Sequence, residues 1–223
     1  IRGKDIAFIF QDPTTSLNPV YNVGFQITEV FLTHEEVRKD EANAKTIGML
    51  KTVKIPEPER RAKQYPHEFS VGMQQRAMIA MALACEPSLL IADEPTSALD
   101  VTIQAQILYL MDELKKKFNS SIILITHDMG IVAEVADRVC VMYAGDLVES
   151  SDVETLFENP LHPYSQGLMK AIPRPDIDVP VLEVIRGTVP NLLKPPSGCK
   201  FHPRCPYAMD ICKREKPQTY TVE

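Results

Sequence analysis

The chain alternates short apolar runs with longer stretches in which apolar residues recur at helical spacing. Each short run is rich in Ile, Leu, Val or Phe and ends in polar or turn-forming residues, which predicts a buried strand. The longer stretches predict helices, several of them amphipathic. Strands are predicted at residues 6–10, 89–92, 121–126, 138–143 and 146–149. Helices are predicted within residues 21–61 and at residues 72–85, 101–118 and 129–136.

This alternation predicts an α/β fold with a mostly parallel sheet covered by helices on both faces. Residues from about 22 to 85 form a predicted helical subdomain within it. The composition changes after residue 150, because 11 of the 18 prolines follow that point and regular periodicity fades. We therefore expect a main domain at residues 1–150 and a loop-rich C-terminal extension at residues 151–223.

Composition and charge narrow the class of protein. The net charge of -6 makes nucleic acid a poor candidate partner, because binding to phosphate backbones favours basic chains. No apolar run approaches the roughly 20 residues that cross a bilayer, and the chain does not open with a signal peptide. It also opens without Met, so we expect the true N-terminus to lie upstream. These features predict a cytoplasmic protein that can dock on a membrane protein.

Two adjacent carboxylates, Asp93 and Glu94, follow the predicted strand at residues 89–92. The carboxyl ends of strands in an open α/β sheet face the ligand crevice, where charges are costly unless a cation or substrate uses them. Asp93 is placed to hold Mg²⁺, and Glu94 is placed to orient an attacking water or accept its proton. The alternative is that Asp-Glu-Pro only ends a strand, but the longer block Asp-Glu-Pro-Thr-Ser-Ala-Leu-Asp favours the functional interpretation.

Further polar residues stand at helix starts and strand ends. Ser70 and Gly72 open a predicted helix, whose backbone N–H groups and dipole suit a phosphate, although Ser is also an ordinary helix cap. Gln11 and His127 each follow a predicted strand. Parallel strands would bring both of them to the same crevice as Asp93 and Glu94.

The order of these motifs resembles that of the nucleotide-binding subunits of ABC transporters, which have a P-loop NTPase-like fold. In this resemblance Gln11 belongs to the Q-loop, residues 70–74 to the signature motif and residues 89–94 to the Walker B strand. By the same resemblance, residues 97–100 correspond to the D-loop and His127 corresponds to the switch histidine. The segments Gln-Asp-Pro, Ser-Leu-Asn-Pro, Tyr-Pro-His-Glu-Phe-Ser and Pro-Leu-His-Pro-Tyr are similar to those of the oligopeptide and dipeptide importer ATPases, a family that includes nickel importers.

The resemblance implies ATP and Mg²⁺ as cofactors and hydrolysis as the reaction. Asp93 and Gln11 would serve Mg²⁺ and the attacking water, Glu94 would be the catalytic carboxylate, and His127 would contact the γ-phosphate. Asp100 would couple two sites across a subunit interface.

It also implies partners. Two ATPase subunits, identical or different, would pair head to tail, with each ATP between the phosphate loop of one subunit and the signature motif of the other. The signature residues in question are Ser70, Gly72, Met73 and Gln74. The pair would power a membrane permease from the cytoplasmic face of the membrane, supplied indirectly by an extracytoplasmic solute-binding protein.

The chain departs from the family pattern at two points. No G-x-x-x-x-G-K-S/T phosphate loop occurs in it, so we expect the chain as given to bind ATP poorly and to be inactive alone. We expect truncation, with the loop in about 70–90 residues upstream. Val71 stands where the family usually has a second Gly, which puts the partner's ATP site in doubt.

Three tail cysteines, Cys199, Cys205 and Cys212, have a spacing that suggests metal more than a disulfide. The family resemblance implies a [4Fe–4S] cluster with a fourth Cys beyond residue 223. Zinc with His202 as fourth ligand is the alternative, and a site without metal is the third possibility.

Two other functions stay open at this point. One is a non-transport ABC ATPase of DNA repair or translation, although such proteins lack the His-Pro-Tyr segment and the Cys-rich tail. The other is a non-catalytic regulatory subunit, against which the intact Glu94 and His127 argue.

Overall fold

The computed structural model describes residues 1–172 and 184–222, and its contacts divide the chain into two compact units, Ile1–His127 and Asp128–Glu223. The predicted division at residue 150 remains a prediction about domain organisation. Three of the prolines that suggested it (Pro173, Pro175 and Pro180) lie outside the described residues.

The first unit contains a parallel sheet of three strands in the order β1 (Ile6–Ile9), β2 (Leu89–Asp93) and β3 (Ser121–Ile125). Ile9 pairs with Ala92, and Asp93 pairs with Ile125, so all three strands end at the same edge. Parallel neighbours need long crossover connections, which here are helical. The predicted α/β fold with a parallel sheet is confirmed.

The two faces of this sheet differ in burial. Ile9, Leu90 and Ala92 are buried in the core of the unit, and each large apolar side chain so placed contributes about 1.5–3 kcal/mol. On β1 and β3, by contrast, Phe8 is 38% exposed and Ile123 is 50% exposed. The expected cover of both faces is therefore incomplete in the described residues.

The connection from β1 to β2 is a set of helices rather than one long helical region. Asn22 caps one helix by accepting a hydrogen bond from the backbone N–H of Phe25 at 2.7 Å. Extended backbone at Glu35 and Arg38 then separates it from the next helix. The elements are α1 (Pro13–Ser16), α2 (Val23–His34), α3 (Lys39–Thr52), α4 (Pro58–Arg61), a 3₁₀ turn (Pro66–Glu68) and α5 (Val71–Leu83). A further helix, α6 (Val101–Phe118), connects β2 to β3.

The second unit is built on an antiparallel hairpin. Strands β4 (Arg138–Tyr143) and β5 (Asp146–Asp152) meet at a two-residue turn, Ala144-Gly145, in which both residues have positive φ, as tight hairpins require. The hairpin is accompanied by α7 (Met129–Val135), α8 (Val153–Glu158), α9 (Pro163–Ala171) and two 3₁₀ turns, His202–Arg204 and Asp210–Lys213.

Aromatic rings hold the C-terminal tail on this hairpin. The ring of Phe201 lies 5.0 Å from that of Tyr143 and 5.5 Å from that of Tyr164, measured between centroids. Lys200 donates to the Ala144 carbonyl at 2.8 Å, and Lys216 bonds Asp146 at 2.7 Å. The tail is thus packed on the hairpin although it contains little regular structure.

Within residues 1–172 and 184–222, none of the helices combines the length and the apolar character that a bilayer crossing needs.

Candidate active site

Polar residues that the sequence singled out come together where the three parallel strands of the first unit end. Gln11 follows β1, Glu94 follows β2, and His127 follows β3. The Gln11 side-chain amide donates from Nε2 to Glu94 Oε2 at 2.8 Å, and His127 Nδ1 lies 2.8 Å from Glu94 Oε1. The structure therefore brings these three side chains into one hydrogen-bonded group with Glu94 at its centre.

The group is only partly shielded from water. The Glu94 side chain is 24% exposed, whereas that of His127 is 79% exposed. A contact between polar side chains that is this open to solvent contributes little to stability, about 0–1 kcal/mol even when both groups are charged. Stability alone consequently does not account for the convergence of these three polar side chains at the sheet edge.

The backbone of Glu94 is unusual, because φ is 42°, in the left-handed region that non-glycine residues rarely occupy. Its N–H donates to the Ile125 carbonyl at 2.9 Å, which extends the β2–β3 pairing by one residue. Its carbonyl accepts from both the N–H and the hydroxyl of Ser97, at 3.3 and 3.1 Å. The family resemblance placed Ser97 in the D-loop, but it gave no indication of this contact with the Glu94 backbone.

Asp93 is the last residue of β2 and lies directly before Glu94, half-buried and paired through the backbone with Ile125. Its position at the strand end is the one that sequence analysis expected of a cation ligand. Among residues 1–172 and 184–222, however, no three His, Cys, Asp or Glu side chains lie close enough together to bind a metal ion by themselves.

The signature residues occupy the start of α5. Ser70 caps the helix by accepting from the Met73 N–H at 3.3 Å. A Cβ built at Gly72 would lie 3.0 Å from Ile103 Cγ2, so Gly72 permits close packing against α6. Val71, at the first helical position, is 41% exposed. The Ser70 hydrogen bond stays within its own helix and Gly72 packs against α6, so neither contact joins the Glu94 group.

Gln74 is buried, and its side chain makes hydrogen bonds to two residues that are distant in the sequence. Its amide donates to the Pro66 carbonyl at 2.8 Å and accepts from the Thr14 hydroxyl at 3.3 Å. Thr14 is in α1, three residues after Gln11, so Gln74 connects the signature helix to the segment that follows Gln11. The sequence suggested Gln74 as a nucleotide contact and did not reveal this buried connection.

Asp100 caps α6, because its carboxylate accepts from the Ile103 N–H at 3.0 Å. An Asp immediately before an amphipathic helix is a recognisable cap signal that sequence analysis passed over. The coupling role that the family resemblance implied for Asp100 remains a proposal.

The three tail cysteines lie near one another, but in the part of the chain that the structure describes they do not make up a group of three metal ligands. The Cys199 N–H donates to the Cys212 carbonyl at 2.8 Å, and all three thiols are free. Burial raises the pKa of the Cys205 thiol, a backbone hydrogen bond at Tyr207 lowers it, and the charges of Cys199 and Cys212 raise it further.

The predicted [4Fe–4S] cluster and its zinc alternative have no support in the described residues, because no group of three ligand side chains occurs there. His202, the suggested fourth zinc ligand, has its Nδ1 2.8 Å from the Cys199 carbonyl oxygen. The sequence showed the spacing of the cysteines, but spacing alone does not fix thiol geometry.

Known protein families match most of the chain. The family described as "ABC transporter" matches residues 1–97, and the family described as "Oligopeptide/dipeptide transporter, C-terminal region" matches residues 148–212. The second match includes Cys199, Cys205 and Cys212.

Curated relatives are similar over almost all of the chain. The oligopeptide transport ATP-binding protein OppD of Salmonella typhimurium is 54% identical over 97% of this chain and 65% of its own length. AppD of Bacillus subtilis, of the same description, is 53% identical over 99% of this chain and 67% of its own length. The dipeptide transport ATP-binding protein DppD of Haemophilus influenzae is 53% identical, again over 99% of this chain and 67% of its length. The chain thus spans about two thirds of these relatives.

Solved structures of ATP-binding cassettes share the fold. The cassette MJ0796, in a dimeric post-hydrolysis state bound to ADP and phosphate, superposes with a TM-score of 0.59 at 25% identity, covering 68% of this chain and 64% of its own. CbiO1 of Clostridium perfringens, part of the transporter complex cbiONQ, gives a TM-score of 0.61 at 30% identity, covering 70% of this chain and 60% of its own.

These similarities confirm the resemblance that the motifs indicated, including the ABC ATPase fold. This chain belongs to the ABC transporter family, within the group of oligopeptide and dipeptide transport ATP-binding proteins.

Proposed function

We propose that the full-length protein hydrolyses ATP and so powers the uptake of oligopeptides or dipeptides through a membrane permease. The observation that carries this proposal is the Glu94 carboxylate, held between Gln11 and His127 where three parallel strands end. The relatives named above, described as oligopeptide and dipeptide transport ATP-binding proteins, support the choice of solute class.

Glu94 is the proposed catalytic carboxylate. Its two oxygens each have one protein partner at 2.8 Å, and a carboxylate oxygen has lone pairs for more than one hydrogen bond. It can therefore accept a hydrogen bond from a water while Gln11 and His127 fix its orientation. In phosphoryl transfer the protein contributes mostly positioning and charge stabilisation, and a carboxylate fixed from both sides supplies the positioning of the attacking water.

Asp93 and Gln11 are the proposed protein ligands of Mg²⁺. Gln11 uses Nε2 toward Glu94, which leaves its Oε1 as an oxygen donor, and Asp93 contributes a carboxylate at the same strand end. Mg²⁺ binds oxygen ligands, keeps several waters and completes its shell with substrate phosphates. Such a site needs only one or two protein ligands, so the absence of a three-ligand group in the described residues fits it. When bound, Mg²⁺ would neutralise phosphate charge.

His127 is the proposed γ-phosphate contact. Its Nδ1 faces Glu94 at 2.8 Å, so that nitrogen carries the proton when Glu94 is ionised. The opposite ring nitrogen, Nε2, is then directed away from Glu94, and it would donate to a phosphate oxygen when the ring carries a proton on both nitrogens. The 79% exposure of the side chain leaves it accessible to a nucleotide.

The nucleotide itself would be shared between two ATPase subunits. Residues Ser70, Gly72 and Met73 would face the partner's phosphates from the start of α5, where backbone N–H groups and the helix dipole favour anions. Asp100 would act across the same interface. The 223 residues contain no G-x-x-x-x-G-K-S/T loop, so we assign hydrolysis to the full-length protein.

The proposed partners are permease subunits and a second ATPase, identical or different, with a solute-binding protein acting indirectly from outside. The proposed location is the cytoplasmic face of the membrane. The intact group around Glu94 opposes a purely regulatory role.

Reconstitution of the full-length protein with its permease in vesicles tests this function. Wild type is expected to release phosphate from ATP and to take up a labelled dipeptide or tripeptide. Glu94→Gln should lower both rates by at least about a hundredfold while ATP still binds, as expected for a catalytic base. Glu86→Gln is the matched control, because Glu86 is an exposed glutamate that also has a positive φ, 49°.

Full hydrolysis by Glu94→Gln would refute the catalytic assignment. ATP hydrolysis by the wild type without peptide uptake would refute the transport assignment alone.

A further inference from the structure

The turn that follows β2 contains a residue, Glu94, whose backbone conformation is unusual for a non-glycine residue. Glu94 has a left-handed backbone, with φ at 42°, and its side chain is the centre of the candidate active site. L-residues avoid this conformation because Cβ crowds the following carbonyl, so the surrounding structure must enforce it.

Hydrogen bonds anchor the peptide groups on both sides of Glu94. The N–H is held by the Ile125 carbonyl at 2.9 Å, on the neighbouring strand β3. The carbonyl oxygen receives two donors from Ser97, the backbone N–H at 3.3 Å and the hydroxyl at 3.1 Å. The hydroxyl is the only one of these anchors that a side-chain substitution can remove.

This conformation determines where the carboxylate lies. Regular strand backbone sends successive side chains to opposite faces of the sheet, and the positive φ ends that alternation at Asp93. The Glu94 side chain is thereby directed between Gln11 and His127. Ser97 is exposed, and its hydroxyl and its N–H both donate to the Glu94 carbonyl.

We propose that Ser97 is a positioning residue: its hydroxyl, acting through the Glu94 carbonyl, keeps the Glu94 backbone left-handed and the carboxylate between Gln11 and His127. This inference rests on the proposed function. It assigns Ser97 no contact with nucleotide or water.

Steady-state ATP hydrolysis by the full-length protein tests the proposal with three variants. Ser97→Ala should lower kcat about tenfold, the size of one lost hydrogen bond of about 1.4 kcal/mol, and should change the KM for ATP less than about twofold. Ser97→Thr keeps the hydroxyl at an exposed position and should restore kcat to within about twofold of wild type.

Ser88→Ala is the matched control. The Ser88 hydroxyl donates to the Asp5 carbonyl at 3.0 Å, a bond of similar length in the same unit, before β2 begins. Its removal should leave kcat unchanged. A thermal melt of each variant separates a loss of positioning from a loss of folding, because only the former lowers kcat at an unchanged melting temperature.

A double variant identifies the residue through which Ser97 acts. In a Glu94→Gln background, Ser97→Ala should change the single-turnover rate by less than about twofold, because the group to be positioned is gone. An unchanged kcat in Ser97→Ala, a failure of Ser97→Thr to restore it, or an equal loss in both backgrounds would overturn the inference.

The same experiment keeps the two proposals separate. If Glu94→Gln itself hydrolyses ATP like wild type, the proposed function fails. If Glu94→Gln is inactive and Ser97→Ala retains full kcat, only the role of Ser97 fails.

Discussion

Phe201 is predicted to be the residue that anchors the C-terminal tail in the second unit. Its side chain is 2% exposed, and its ring packs on Tyr143, Tyr164 and His162 with centroids 5.0, 5.5 and 5.7 Å away. Truncation of a buried Phe to Ala removes apolar burial and leaves a cavity, at a cost of about 3–5 kcal/mol. Phe201→Ala should therefore loosen the segment that contains the tail cysteines.

Hydrogen exchange, measured by mass spectrometry on the 223-residue chain, reports this loosening. The reporter is the peptide containing the Cys199 N–H, which donates to the Cys212 carbonyl at 2.8 Å. A loss of 3 kcal/mol or more should speed its exchange by about a hundredfold or more if opening is local to the tail. Tyr207→Ala is the control, because Tyr207 is 67% exposed in the same tail and should cost less than about 0.5 kcal/mol. Exchange in Phe201→Ala within about threefold of wild type would refute the anchoring role.

Three further predictions concern pH, the signature motif and the phosphate loop. Burial lowers the pKa of His162 from its ordinary value of 6.5, against a smaller opposing effect of Glu149, so the folded state favours the neutral ring that accepts from the Tyr164 N–H. The contribution of His162 to the free energy of unfolding of the second unit should be complete above pH 6.5 and should fall as the pH drops below that value. Urea titrations from pH 7.5 to 5 should therefore show a smaller decline in His162→Gln than in wild type. Val71→Gly should raise ATP hydrolysis by the assembled full-length protein several-fold, because removal of the Val71 side chain lets phosphates approach the start of α5. Stability should be about unchanged, because Val71 is exposed. An unchanged rate in a phosphate-release assay would contradict this prediction. The 223-residue chain should release no phosphate from ATP, because it contains no phosphate loop. For the same reason, calorimetry at micromolar concentrations should show no saturable nucleotide binding. Tight binding would contradict this expectation.

Much of the fold could be predicted because the signals are local. The strands at residues 6–9, 89–93 and 121–125 were visible as apolar runs stopped by polar residues, and parallel pairing then required their ends to meet at one edge. That inference anticipated the convergence of Gln11, Glu94 and His127. The separation of α2 from α3 was missed, because residues 35–38 contain neither Gly nor Pro and the break depends on packing.

Details of the site that depend on long-range contacts could not be predicted. The left-handed backbone of Glu94 is enforced by Ile125 and Ser97, and a Glu in sequence carries no sign of positive φ. The burial of Gln74 against Pro66 and Thr14 depends likewise on residues distant in the chain. The cysteine spacing suggested a metal cluster, but the spacing of residues along the chain does not determine the distances between their side chains in the fold.

The account depends most on Glu94 and His127 acting as one catalytic unit across their 2.8 Å contact. Single-turnover ATP hydrolysis by the full-length protein, in wild type, Glu94→Gln, His127→Ala and the double variant, measures this directly. We predict that each single substitution lowers the rate at least about a hundredfold and that the double variant is within about threefold of the slower single variant. Losses that multiply in the double variant, or a wild-type rate in His127→Ala, would contradict the account.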